Sequence, residues 1–291
     1  MTAKALSGDL RDRVQHHALA WRVEVEDVFE TETSAIAFVS RAGQALVLKV
    51  VKRPCDEWHS GEVLAAFEGN GLVRAHEHAP GAVLLERLSP GNSLVEMALN
   101  GRDEEATTIL AEVMQQMAAR ASSISKLELP NACATVHDWG KAFARYLVTG
   151  DGQVPKGLVE AGQEVYLDLC ASQREPRLLH GDLQHYNVLF DSDQGWLAID
   201  PKGVAGEIEY EIGAVMRNPY ERLELFLARS TIERRLIQFT DRLAVDYERT
   251  LRWTFAQAVL SAIWGVEDGF EVDASNPGLR LAEVIRPMLG R

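Results

Sequence analysis

The most constraining part of this 291-residue chain is the run Leu179-His180-Gly181-Asp182-Leu183-Gln184-His185-Tyr186-Asn187-Val188-Leu189-Phe190, followed by Trp196-Leu197-Ala198-Ile199-Asp200-Pro201-Lys202-Gly203. Two short apolar runs, Asn187 to Phe190 and Trp196 to Ile199, flank Asp191-Ser192-Asp193-Gln194-Gly195, a cluster of turn-forming residues, so the segment predicts a hairpin. Asp182, Asn187 and Asp200 interrupt apolar surroundings at loop or strand-end positions, where a scaffold presents side chains rather than burying them. Closing the hairpin lays the second strand beside the first and carries Asn187 and Asp200 towards one place. The chain must therefore fold so that a loop, strand, turn and strand fit inside sequence that is otherwise helical.

Upstream the pattern is different. Val23 to Phe29, Ala35 to Val39 and Ala45 to Val51 read as strands, the last two closed by Arg41-Ala42-Gly43-Gln44, and an antiparallel meander follows. Asp56 to Phe67 has apolar residues at helical spacing, with Gly69 as its stop. Two further strands are expected near Leu72 to Ala75 and Ala82 to Leu88, with His76 and His78 in a loop between them. The turn cluster Ser89-Pro90-Gly91-Asn92 marks a boundary between a sheet lobe, residues 1–90, and a helical lobe, residues 91–291. Amphipathic helices are expected from Asp103 to Arg120, from Leu158 to Cys170, from Ile232 to Tyr247 and from Leu251 to Val266. The fold class is α+β and bilobal.

Composition narrows the function. With 43 acidic against 30 basic residues the formal net charge is -13, which repels nucleic acid and anionic membranes and suits cationic ligands. Cys55, Cys133 and Cys170 are odd in number and far apart, neither a disulfide framework nor a paired zinc signature. Met1-Thr2-Ala3-Lys4 leads into charged sequence without an apolar leader, and no uncharged run approaches a membrane span. A cytoplasmic, unexported protein without nucleic-acid or membrane partners is expected; oligomeric state leaves no mark.

The order Asp, four residues, Asn, hairpin, Asp fits phosphoryl transfer. A carboxylate must orient the attacking hydroxyl and take its proton, while an amide and a second carboxylate hold magnesium against nucleotide phosphates. Lys49 supports this independently: it lies inside the apolar strand Ala45-Leu46-Val47-Leu48-Lys49-Val50-Val51, where an ammonium needs an anionic partner. Glu62, on the following helix, is the expected partner.

These motifs, with Gly206-Glu207-Ile208-Glu209-Tyr210-Glu211-Ile212-Gly213 and Arg217-Asn218-Pro219, resemble the aminoglycoside phosphotransferases of the protein-kinase-like superfamily, in particular the streptomycin 6-kinase and hydroxyurea-resistance kinase branch. The likeness is strongest over residues 178–219. It implies a protein-kinase-like fold, ATP and Mg2+ as cofactors, Asp182 as catalytic base, and Asn187 and Asp200 as metal ligands. It further implies that Lys49 and Glu62 hold the α- and β-phosphates, and that Leu84 to Leu88, including Glu86 and Leu88, form a hinge for adenine. The small-molecule hydroxyl acceptor it implies is an aminoglycoside such as streptomycin. A sugar or amino-alcohol kinase of the same fold, or a nucleotide-binding pseudokinase, are the alternatives. Two departures stand out. Thr31-Glu32-Thr33-Ser34-Ala35 lacks the glycines of a phosphate loop, so Thr33 and Ser34 would donate instead. Between Asp200 and the next helix there is also no room for a regulated activation segment. Glu211 stands where relatives buttress the catalytic loop with aspartate, Lys202 is a candidate phosphate or substrate contact, and His180 reads as structural. Six acids, Glu207, Glu209, Glu221, Glu224, Glu267 and Asp268, are candidates for a cationic acceptor pocket or for a solvated face.

Overall fold

Period-two patterning in the first strands gives the sheet two different faces, and the second of these builds the site. The computed structural model describes residues 7–121 and 133–290, so the leading Met1-Thr2-Ala3-Lys4 lies outside the described residues. After α1 (Gly8–Ala20) come β1 (Glu24–Glu30), β2 (Ser34–Arg41) and β3 (Gln44–Val51), then a 3-10 turn (Asp56–His59), α2 (Ser60–Phe67), β4 (Ala75–Ala79) and β5 (Ala82–Glu86). The five strands form one antiparallel sheet in the order β1-β2-β3-β5-β4. At the β2–β3 turn Ala42 and Gly43 both have positive φ, 51° and 83°, the geometry whose twist suits a two-residue hairpin loop.

Ala35, Ala37 and Val39 of β2 and Leu46, Leu48 and Val50 of β3 pack with Leu84 against Leu10, Val14 and Ala18 of α1. Residues of opposite parity, Ile36, Phe38, Val47 and Lys49, face the cleft. The sequence offered little warning of α1, because its buried stripe is three residues wide among charges and histidines. The strand expected at Leu72 to Ala75 is not formed: Leu72 makes a lone bridge to Ala198, and pairing with β5 starts at Ala75, which puts His76 and His78 on β4 rather than in a loop.

The remaining elements are β6 (Pro90–Ser93), α3 (Leu94–Leu99), α4 (Asp103–Ala121), β7 (Ala134–Thr135), α5 (Val136–Thr149), α6 (Lys156–Ala171) and β8 (Arg177–Leu179). They continue with a 3-10 turn (His185–Asn187), β9 (Val188–Asp191), β10 (Gly195–Ala198), β11 (Val204–Gly206), α7 (Ile208–Met216), α8 (Leu223–Phe226), α9 (Arg229–Leu243), α10 (Tyr247–Glu267) and α11 (Pro277–Ile285). Helix α10 is the spine, with Trp253 fully buried and ringed edge-on by Tyr166 and Tyr210. The predicted hairpin is β9–β10, paired in register from Val188↔Ala198 to Asp191↔Gly195. Strand β6 adds to its edge, so the turn cluster at residues 89–92 is stitched to the helical lobe. Arg235, fully buried on α9, donates to both carboxylate oxygens of Asp103 at the start of α4, which locks those two helices together.

Candidate active site

A cleft of about 600 Å3 separates the sheet from the helical lobe, lined by the cleft face of β2 and β3, the turn at residues 31–34, Leu85 to Leu88, and Leu189, Ile199 and Asp200. Ser34, Lys49, Glu86, Leu88 and Asp200 therefore share one cavity. Lys49 is only 3% exposed and is held between two carboxylates, Glu57 and Asp200, each at 2.7 Å. Burial alone would push its ammonium down, but the two carboxylates prevail and hold it above the usual lysine range.

Glu62 is not that partner. A 3-10 turn precedes α2, and α2 buries Val63, Leu64 and Phe67, which leaves Glu62 on the far side bonding His59 Nδ1 at 2.8 Å. Glu57, one of the two acids of the 3-10 turn, takes the place assigned to Glu62. The helix had been expected to run unbroken from Asp56; a tighter first turn shifts the phase of every side chain before Ser60.

The catalytic-loop residues are tied together through backbone. The Asp182 N–H donates to His180 Nδ1 at 3.2 Å, so Nε2 carries the ring proton and donates to Ile199 O at 2.8 Å, beside Asp200. Burial holds His180 below its usual pKa, and it is a neutral brace. Lys202 and Gly203 N–H both donate to His180 O at 2.9 Å. Asn187 Nδ2 donates to Asp182 O at 2.9 Å, which commits the amide nitrogen and leaves Oδ1 as an acceptor. Asp200 has a positive φ of 58°, a strained conformation of the kind that clusters at functional sites.

The Asp182 and Asp200 carboxylates are both part-exposed and so reachable from solvent. Asp182 lies between two cations, Lys202 Nζ at 3.8 Å and Arg217 Nη2 at 3.7 Å. Beneath the loop, Glu211 accepts from Gly181 N–H at 3.1 Å and Leu183 N–H at 3.3 Å. Full burial pushes its carboxyl up to about 7, against the backbone N–H groups, which favour the charged form.

In the turn at residues 31–34 the Ser34 N–H donates to Thr31 Oγ1, and the two hydroxyls bond each other at 3.1 Å. Ser34 lines the cavity with its donors spent inside the turn, whereas Glu32 and Thr33 keep backbone N–H groups that no acceptor among the described residues engages. Glu86 spends its carboxylate on Arg74 N–H and Gln194 Nε2 and its own N–H on Arg74 O at 3.0 Å, so of its polar groups only the carbonyl is left to face a ligand.

A second cavity of about 340 Å3 opens on the other side of Lys202, lined by Asp56, Asp138, Trp139, Arg145, Trp264, Glu267 and Asp268. Trp139 and Trp264 meet edge-on at 5.5 Å. Lys202 lies 3.8 Å from Asp56 as well as from Asp182, so it bridges this cavity and the catalytic loop. Of the six acidic candidates in the sequence, Glu267 and Asp268 line this cavity, Glu267 paired with Arg145 at 3.0 Å. Glu207 is bound by Arg249 and Trp253, Glu221 by Tyr186 and Glu224 by Arg280, and Glu209 lies in a different cavity. Asp56, Trp139 and Trp264 carried no sequence signal, because only the tertiary fold brings them together.

The chain is similar to known proteins over most of its length. Residues 19–269 match the family described as aminoglycoside/hydroxyurea antibiotic resistance kinase. A streptomycin 3''-kinase of Klebsiella pneumoniae is 32% identical over 253 residues, covering 86% of this chain and 91% of that protein. A hydroxyurea phosphotransferase of Kitasatospora aureofaciens is 32% identical over 247 residues, covering 81% and 66% respectively. Among solved structures, an aminoglycoside phosphotransferase crystallised with ADP and hygromycin B superposes with a TM-score of 0.67 at 18% identity, over 95% of this chain and 99% of that one. That likeness establishes the bilobal, protein-kinase-like fold.

Proposed function

This chain belongs to the aminoglycoside/hydroxyurea antibiotic resistance kinase family and is a phosphotransferase acting on small molecules, and on that premise we propose that it moves the γ-phosphoryl group of ATP to a hydroxyl of an aminoglycoside such as streptomycin. The observation that carries the reading is the short line of groups from Lys49 through Asp200 to the Asp182 loop, set between a nucleotide-sized cleft and a second, acidic cavity. The cleft accepts adenine between the apolar sheet face and Leu189, with the backbone of Glu86 to Leu88 as its edge. The free N–H groups of Glu32 and Thr33 supply anion donors where a glycine loop is lacking.

Lys49, steadied by Glu57, meets the phosphates. Asn187 Oδ1 and the Asp200 carboxylate are hard oxygen donors and would hold magnesium. Bound there, the ion would neutralise charge on the phosphates. Asp182 orients the acceptor hydroxyl and takes its proton, while Lys202 stands over the space between acceptor and phosphate. The cavity with its two tryptophans suits a cationic acceptor, whose charge meets Asp56 and Asp268 and whose apolar faces lie on the rings.

The test is incubation with ATP, magnesium and streptomycin, followed by mass spectrometry. An adduct of about 80 Da, one phosphoryl group, is expected. Adducts on a sugar or amino alcohol but not on any aminoglycoside would reassign the acceptor, and nucleotide binding without any adduct would leave a pseudokinase.

A further inference from the structure

Arg217 has no place in the roles described so far, yet it is built into the site. It caps α7, its side chain is 13% exposed, and Asp182 is its sole ion-pair partner among the described residues. Burial pulls its guanidinium below the usual arginine range. A guanidinium kept in such a place at that cost needs a reason.

Two hydrogen bonds fix its fork: Nη1 donates to Gly213 O at 3.1 Å and to Gln257 Oε1 at 2.8 Å. Gln257, itself 2% exposed on α10, is aligned by its own Nε2 donating to Tyr210 O. Gly213 makes room for it, since a Cβ at 213 would stand 2.1 Å from Gln257 Oε1. With Nη1 anchored, Nη2 is left pointing at Asp182 Oδ1, 3.7 Å away. No hydrogen bond among the described residues reaches the Asp182 carboxylate, so its orientation rests on the two cations. Of these, Lys202 is a part-exposed point charge shared with Asp56, whereas Arg217 is rigid.

We propose that Arg217 is a positioning residue for the phosphoryl-transfer base: clamped by Gly213 and Gln257, it holds Oδ1 of Asp182 and thereby presents Oδ2 to the acceptor hydroxyl. The proposal rests on Asp182 being the base. It assigns Arg217 no contact with nucleotide or acceptor, so its loss acts on turnover rather than on binding. A misplaced base costs up to about a hundredfold in rate.

For Arg217→Gln the expected result is a kcat lower by about tenfold or more, with the KM for ATP within about twofold of wild type. Gly213→Ala, which dislodges Gln257 and leaves Arg217 in the sequence, lowers kcat in the same way and spares the KM for ATP. In an Asp182→Asn background Arg217→Gln has no further effect, because the two act as a unit. A folded Arg217→Gln enzyme, verified by its melting curve, with wild-type kcat would overturn the proposal while leaving Asp182 as base. Wild-type turnover by Asp182→Asn would instead remove the reading on which it rests.

Discussion

At the scale of single residues, Lys49 was legible because an ammonium in an unbroken apolar strand has one reasonable explanation, a buried anionic partner. The partner was not legible. Glu57 and Glu62 lie five residues apart, and which one turns inward depends on a 3-10 turn that no residue in the segment announces. The two glutamates make a clean comparison. Glu57→Gln leaves Lys49 with one carboxylate and should weaken ATP binding by about tenfold, the scale of a lost charged hydrogen bond. Glu62→Gln, which removes a part-exposed contact with His59, should stay within about twofold. Calorimetric titration of ATP against both variants checks this, and equal losses would contradict the assignment. Asp182, Asn187 and Asp200 stand out in the sequence for a different reason: they are polar residues at fixed spacing around a hairpin, against apolar neighbours. Arg217 stood in a recognisable motif, but its contact with Asp182 depends on where α10 places Gln257.

At the scale of elements, the hairpins were read well because local turn chemistry sets them, as at Ala42-Gly43 and at residues 191–195. Helices α1 and α5 were missed. The first has a thin apolar stripe, and the second opens with a capping box, Thr135 and Asp138, that is visible only once its register is known. Two ties between elements give predictions. Asp103→Ala strands the buried Arg235 between α4 and α9 and should cost about 3–5 kcal/mol in chemical denaturation; a loss near zero would show that the ion pair does not hold these helices.

Glu211 ties α7 to the catalytic loop and makes stability depend on pH. Its carboxyl is raised from 4.5 to about 7, so between those values the folded chain holds a proton that the unfolded chain has released. The fold therefore loses stability as pH rises through this window, and a residue that cannot ionise does not. The melting temperature of Glu211→Gln minus that of wild type should increase from about pH 5 to about pH 8. A constant difference would mean that Glu211 does not titrate there.

At the scale of the whole molecule, one cavity is lined at Asp200 and the other at Lys202, the larger suited to a nucleotide and the smaller to a cation, within a chain of net charge -13. The long-range field should aid capture of a cationic acceptor, so raising salt should increase the KM for streptomycin and leave kcat nearly unchanged. Steady-state kinetics across ionic strength would show this, and a salt-independent KM would place the acceptor away from the acidic cavity. The smaller cavity was the least legible part of the sequence, since Asp56, Trp139 and Trp264 come from distant segments and have no shared spacing, and only Glu267 and Asp268 of its lining stood among the acidic candidates.

The account as a whole depends on Asp182 serving as the base between these two cavities. Single-turnover transfer from ATP to streptomycin, compared between wild type and Asp182→Asn, tests that directly. The expected result is a rate lower by about 100-fold or more with nucleotide affinity unchanged; transfer at the wild-type rate would contradict it.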